Sequence, residues 1–472
     1  MRSGDDFLYR GGEENGTVKR FEEMRKRKEK YYFDVHEFED IIDYYLESNK
    51  SESALEAVNC GLHLHPESMI IQLKQAQVLL DQGKVTRALK ILRKLSAIEH
   101  SNYEVFISLG TALNIMGRTE EATQYYDHAL SLDPDDKSEM ASQIGYIFHD
   151  REKYKEALRY FKMALNFDPD RSALLYEMAY CFERLGQFRK ADKYYNRYLD
   201  HEPFSDMGWF NLGIVYYKLE KYDDALRAYD FSIAINDRNA SAIFNKASLL
   251  MTISEYSKAI DVYHDLLELE PKNLSAIQYL AECHDILGDH KKAELHYSHA
   301  RKIDPRFPEA YFGSGMILLK RKKFQESRKF FKKAIELDEE NPDYWFALAQ
   351  SYRGQGNYNQ AHRAIKKTLE YDPFETDYWL EAAALQKALG NLDESIRILQ
   401  DSFNFNPEEA EIHYQLGIYY LLNGHNKPGY EHIEQGLLME FDIHEKVFKP
   451  YQGLFNDPGI KNLIEKCRKL LS

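Results

Sequence analysis

Apolar and polar residues follow one another along this chain at helical spacing, and the arrangement restarts at a fixed interval. In WFNLGIVYYKL (209–219), Trp209, Leu212, Gly213 and Tyr216 fall at i, i+3, i+4 and i+7, a single stripe of a helix. In the next stretch, KYDDALRAYDFSIAINDR (221–238), Ala225 and Tyr229 stand four apart and so share a second helical face. The same arrangement occurs at 153–170, KYKEALRYFKMALNFDPD, which lies 68 residues earlier, or two steps of 34.

Sliding the chain along itself extends the period almost from end to end. One column of small residues runs Ala54, Ala88, Ala122, Ala157, Ala191, Ala225, Ala259, Ala293, Ser327, Ala361, Ser395 and Gly429, with steps of 34 and a single step of 35 between Ala122 and Ala157. The extra residue falls between Pro134 and Gly145, where a loop tolerates it. Four positions on, seven successive units carry an aromatic: Tyr126, Phe161, Tyr195, Tyr229, Tyr263, Tyr297 and Phe331. Twelve positions after the small residue, proline recurs at 66, 134, 169, 203, 271, 305, 373 and 407; lacking an N–H, it marks a helix end at constant phase. Twelve positions upstream lies a second small column, which includes Gly110, Gly145, Ala179, Gly213, Ala247 and Gly315. Each unit therefore reads as two antiparallel helices meeting through small residues, and none could bury its stripe without a neighbour.

Trp209, Leu212, Gly213, Tyr216, Ala225 and Tyr229 resemble the W-x2-L-G-x2-Y, A-x3-F signature of the tetratricopeptide repeat (TPR) family. Twelve repeats are expected, beginning near 35, 69, 103, 138, 172, 206, 240, 274, 308, 342, 376 and 410. The resemblance implies an all-α fold, an alpha-solenoid in which antiparallel helix pairs wind into a right-handed superhelix. The expected organisation is a tail and basic N-terminal capping helix over 1–34, twelve repeats over 35–441 and a C-terminal capping helix over 442–472. Tyr32 and Phe33 are expected to pack on the first repeat, and Ile460, Leu463, Ile464 and Leu470 to cover the last.

Composition narrows the functional classes. The chain has 472 residues, 44% hydrophobic and 29% charged, as in folded proteins without long disordered regions. A net charge of -15 argues against general nucleic-acid binding, which needs a basic surface. No window approaches the apolar length that spans a bilayer, and no signal-peptide core is seen at the N-terminus, so a cytoplasmic location without a transmembrane segment is expected. Cys60, Cys181, Cys283 and Cys467 are far apart, which suits free thiols in helices. No phosphate loop, dinucleotide fingerprint, zinc-protease or nucleophile-elbow motif occurs, so a non-enzymatic protein without cofactor or metal is expected. His63 and His65 flank Leu64 on different helical faces and are expected to face solvent.

In the TPR family the first helix of each repeat lines the concave face, where partner peptides commonly lie. Carried over, the resemblance implies groove residues Tyr176, Tyr180, Phe210, Asn211, Tyr217, Phe244, Asn245, Tyr279, Phe312 and Phe346. Asn211 and Asn245 would hold an extended backbone, since an amide donates and accepts at once, and the aromatics would supply contact area. The alternative for each Phe is packing between adjacent first helices. Family members that clasp an acidic chaperone tail use paired basic residues on early first helices; here those positions are acidic or neutral and Lys74 stands alone.

A different surface is suggested by charge. Between 320 and 367, twelve Lys or Arg face six Asp or Glu, a net of +6. The candidate basic patch is Lys320, Arg321, Lys322, Lys323, Arg328, Lys329, Lys332 and Lys333. It would serve an RNA- or ribosome-associated adaptor, or be a solvated charge run. The leading expectation remains a protein-binding scaffold, with the nucleic-acid adaptor as the alternative.

Overall fold

The structure, a computed structural model, describes residues 16–132, 137–169 and 171–471. Pro134 of the proline column lies outside the described residues. All regular secondary structure among them is helical. The chain divides into two compact units, Met1–Ile235 and Asn236–Ser472.

In the first unit a helix over Gly16–Arg27 precedes six helix pairs. Their first helices are Val35–Glu47, Met69–Asp81, Tyr103–Ile115, Lys137–His149, Ser172–Arg184 and Asp206–Lys218. The second unit holds six more pairs, with first helices Ala240–Thr252, Leu274–Ile286, Pro308–Lys320, Pro342–Gly354, Thr376–Ala388 and Ala410–Leu422. Short helices His444–Phe448 and Gln452–Phe455 and a longer one, Pro458–Leu471, close the chain. Within each unit a second helix packs on its own first helix and on the first helix of the following pair.

The two small columns meet the aromatic column. An ideal Cβ on Gly110, Gly145, Gly213 or Gly315 would lie 2.6, 2.4, 2.5 and 2.5 Å from the ring of Tyr126, Phe161, Tyr229 and Phe331, respectively. Each ring, at most 2% exposed, thus lies on the bare backbone of the partner helix in its own repeat. Ala225, fully buried, keeps the second-helix side of the same contact thin.

A second recurring device closes the loop before several first helices. All three tryptophans donate their indole N–H to a carbonyl six residues back: Trp209 to Pro203 (2.9 Å), Trp345 to Glu339 (2.8 Å) and Trp379 to Pro373 (2.7 Å). The turn inside each pair requires a left-handed residue. Glycine supplies it at Gly83, Gly117, Gly186, Gly288, Gly356, Gly390 and Gly424, whereas Asn49, Glu152, Glu220, Ser254 and Lys322 adopt φ of 55 to 63° at the matching positions.

The ends differ from expectation in three side chains. Phe33 is fully buried against Phe21 and Phe38, but Tyr32 is 68% exposed. His63 is exposed, whereas His65 is half-buried, with its Nε2 2.8 Å from the Phe33 carbonyl oxygen; the histidine ties the N-terminal segment to the first repeat. In the last helix Ile460 and Ile464 are buried, but Leu470 is 64% exposed and Cys467 occupies the inward position three residues earlier. Asp457 caps this helix, accepting from the backbone N–H of Gly459 (2.8 Å) and Ile460 (3.2 Å) and from the Tyr430 hydroxyl (2.8 Å).

Candidate partner-binding surface

In the first unit the candidate residues come from the first helices Ser172–Arg184 and Asp206–Lys218. Phe210 is half-buried and tilts against Tyr229 at 6.2 Å, and Tyr217 lies beside Tyr222 at 6.0 Å. Tyr180 is half-buried between His149 (5.4 Å) and Tyr154 (6.2 Å). Asn211 is only 8% exposed, and its Nδ2 donates to the Tyr176 hydroxyl at 2.7 Å. One N–H of its amide is therefore engaged within the protein, joining successive first helices. Burial pushes the Tyr176 hydroxyl up to about 12, so it stays protonated. Beside these residues, and not singled out from sequence, the His149 Nε2 lies 3.5 Å from the Glu177 carboxylate, whose pKa burial raises.

In the second unit Phe244 packs its ring 6.1 Å from Tyr263 and 5.8 Å from Tyr279, the latter on the next first helix. Phe312 meets Tyr344 at 5.0 Å and Phe346 meets Tyr378 at 4.9 Å in the same way. Each of these Phe rings is half-buried, so one side packs between adjacent first helices while the other stays open. Asn245 differs from Asn211: it is half-buried and, among the described residues, its side chain has no hydrogen-bond partner.

Sequence alone could not separate the two asparagines. Both fall at the same repeat position, and what distinguishes them is the residue 35 positions earlier, Tyr176 for Asn211 and Phe210 for Asn245. A hydroxyl there satisfies the amide; a phenyl ring does not.

Charge is distributed as follows. Lys74 is 7% exposed and donates to Asp43 at 2.8 Å, with Glu39 at 3.7 Å, so the early acidic residues are partly neutralised by the one basic residue among them. Glu139 pairs with Arg171 at 2.6 Å. In the basic patch, Lys320 binds Asp285 (2.5 Å), Lys323 lies 3.5 Å from Glu326, and Lys333 binds Glu336 (2.9 Å). Arg328 donates to Gln355 (2.6 Å) and lies over the Tyr352 ring. Arg321, Lys322, Lys329 and Lys332 remain exposed. Cys181, Cys283 and Cys467 are buried and Cys60 half-buried, all as free thiols. Among the described residues no helix is long and apolar enough to cross a membrane.

Stacked helix pairs locked by glycine–aromatic contacts, with a row of half-open rings on the first helices, define a helical-repeat interaction scaffold. Tetratricopeptide repeat profiles match residues 40–98, 103–136, 148–208, 207–239 and 318–388, and the chain belongs to that family. No curated protein matches it. Among solved structures, yeast Tom70 is similar with 14% identity over 88% of this chain and 98% of its own, at a TM-score of 0.43. The structure of Naa15/Naa10 bound to HypK-THB gives 15% identity over 92% of this chain and 75% of that one, at 0.39. YrrB, described as a TPR protein with an unusual peptide-binding site, gives 18% identity over 41% and 97%, at 0.33.

Proposed function

We propose that this TPR scaffold binds an extended segment of a partner protein in the groove formed by its first helices, with the helix Gly16–Arg27 and the C-terminal helix Pro458–Leu471 serving as caps of the array. The observation that carries the reading is Asn245, whose half-buried amide has no hydrogen-bond partner among the described residues and which follows the half-open Phe244 on the same first helix. An amide held on a helix can donate to and accept from a strand-like backbone, and flanking rings exclude water from that bond. In this reading Phe244, Tyr279, Phe312 and Phe346 supply side-chain contact, and Tyr180, Phe210 and Tyr217 do so separately in the first unit. Asn211 and Tyr176 shape that surface and do not clamp a ligand.

The test is a pull-down of tagged full-length protein, with and without nuclease, followed by titration of the recovered partner. Truncating a central contact of an interface costs more than about 1 kcal/mol, so Asn245→Ala with Phe244→Ala should weaken binding at least about tenfold. Charge reversal at Lys322, Lys323, Lys329 and Lys332 should leave it unchanged. The nucleic-acid adaptor predicts the opposite: loss on charge reversal, loss with nuclease, and an affinity that falls steeply with salt.

A further inference from the structure

In the second unit, the segment after the last repeat turns back over the first helices of repeats eleven and twelve. The Tyr451 hydroxyl lies 2.8 Å from Lys387 Nζ and 3.0 Å from Gln415 Nε2, and the Lys387 ammonium sits 4.2 Å from the centre of the Tyr451 ring. Beside this contact lies an open pocket of about 370 Å³ lined by Phe346, Tyr419 and Tyr451, by Lys446 and by the acidic residues Asp377, Glu381 and Glu411.

Glu381 is the informative residue. Its side chain is only 10% exposed; Oε2 takes the guanidinium of Arg353, while Oε1 is buried with no hydrogen-bond partner among the described residues. A buried carboxylate oxygen left without a donor is costly. Burial accordingly raises the Glu381 pKa, with Arg353 pulling the other way. The neighbouring cations do not supply the missing donor: Arg353 is engaged at Oε2 and Lys387 on Tyr451, while Lys446, in the cavity wall, is exposed. Three carboxylates, one with a free buried acceptor, therefore share a cavity with three aromatic rings.

We propose that this cavity takes the arginine side chain of a partner protein segment. A guanidinium donates through a planar fork and stacks on aromatic faces, which matches a carboxylate floor with Tyr and Phe walls better than a compact ammonium does. The volume is at the small end of ligand pockets, enough for one side chain and its attachment. The site rests on the reading of the chain as a binder of protein segments, but it uses neither Phe244 nor Asn245.

The probes are two peptide amides, acetyl-Gly-Ser-Ala-Arg-Ala-Ser-Gly and its counterpart with citrulline for arginine, which keeps the shape and removes the charge. Binding to the full-length protein is followed by ligand-observed NMR to millimolar concentration. The arginine peptide should bind at least tenfold more tightly than the citrulline peptide, and Asp377→Asn should weaken it severalfold. Glu381→Gln should erase the preference; because that change also touches Arg353, Tyr451→Ala, which leaves Glu381 intact, should erase it as well. Equal binding of the two peptides, or a preference that survives both Glu381→Gln and Tyr451→Ala, overturns the proposal. A lysine peptide that binds as tightly as the arginine one overturns the assignment to arginine. An arginine preference retained in the Phe244→Ala/Asn245→Ala variant separates this site from the central groove.

Discussion

Replacing Gly213 by leucine tests the contact on which every repeat depends. The Cβ of any residue at 213 would stand 2.5 Å from Cε1 and 2.7 Å from Cδ1 of Tyr229, and that ring is only 2% exposed, with little room to turn away. Leucine adds three further carbons to a contact already too short. Overpacking of a tight core costs about 1 to 3 kcal/mol, and this site belongs at the upper end. Removing a mid-helix glycine returns about 1 kcal/mol, leaving a net loss of about 2 kcal/mol. Since each 1.4 kcal/mol is a factor of ten, the opening equilibrium of the repeat should rise by roughly 25-fold. A repeat array need not unfold in one step, so the fitting assay is hydrogen exchange read by mass spectrometry on peptides from 206–235. Protection there should fall by more than tenfold. Arg227→Leu, on an exposed side chain of the same repeat whose ion pair with Asp224 is worth little, should change protection less than twofold. Equal effects at the two positions would refute the packing register.

Ala225→Leu, which thickens the other side of the same contact, should cost about 1 to 3 kcal/mol by the same assay. Asn211→Ala should leave the half-buried Tyr176 hydroxyl without this donor and cost about 1 kcal/mol, read as lower protection across 172–218; an unchanged pattern would mean the bond is not made in solution. Folding depresses the Asp457 pKa, chiefly through the Tyr430 hydroxyl and the two backbone N–H groups. Its stabilisation is therefore present above the ordinary carboxylate value of about 4 and lost as pH falls through the lower folded value, so protection of 458–471, corrected for the intrinsic exchange rate, should fall below about pH 4 in wild type but not further in Asp457→Asn. His296 is pushed down to about 4 by burial, with His284, His264, His299 and Lys292 adding like charge. The unfolded chain takes up that proton first, so local stability around 290–303 should decline as pH falls from about 6.5 towards 4, and His296→Gln should flatten the decline.

The helix pairs were legible in the sequence because the 34-residue columns report backbone geometry directly. A small residue facing a ring, as in Gly213 and Tyr229, is a steric condition that nothing else satisfies, and it repeats. The aromatic face was legible in part. The position of Phe210, Phe244, Phe312 and Phe346 follows from the register, but each ring proves to be shared between packing and an open side, a division that depends on the neighbouring repeat. The bond from Asn211 to Tyr176 was not legible for the same reason, since Tyr176 lies in the preceding repeat. The cavity around Glu381 left no trace in the repeat pattern: Tyr451 lies outside it, 64 residues from Lys387, and its contact is set by how the chain folds back after the last pair. At Leu470 the helical stripe was continued one turn too far, past Cys467.

Whether the first helices carry the partner is decided by site-specific photo-crosslinking. A benzoylphenylalanine placed at Asn245 or Phe312, on first helices, is compared with one at Asp261 or Lys332, on second helices, after the partner has been recovered by pull-down and purified. Adducts should form from the first-helix positions and not from the second-helix ones, and unlabelled partner should compete them away. Adducts confined to Asp261 or Lys332 would place binding on the opposite surface and contradict the first-helix reading.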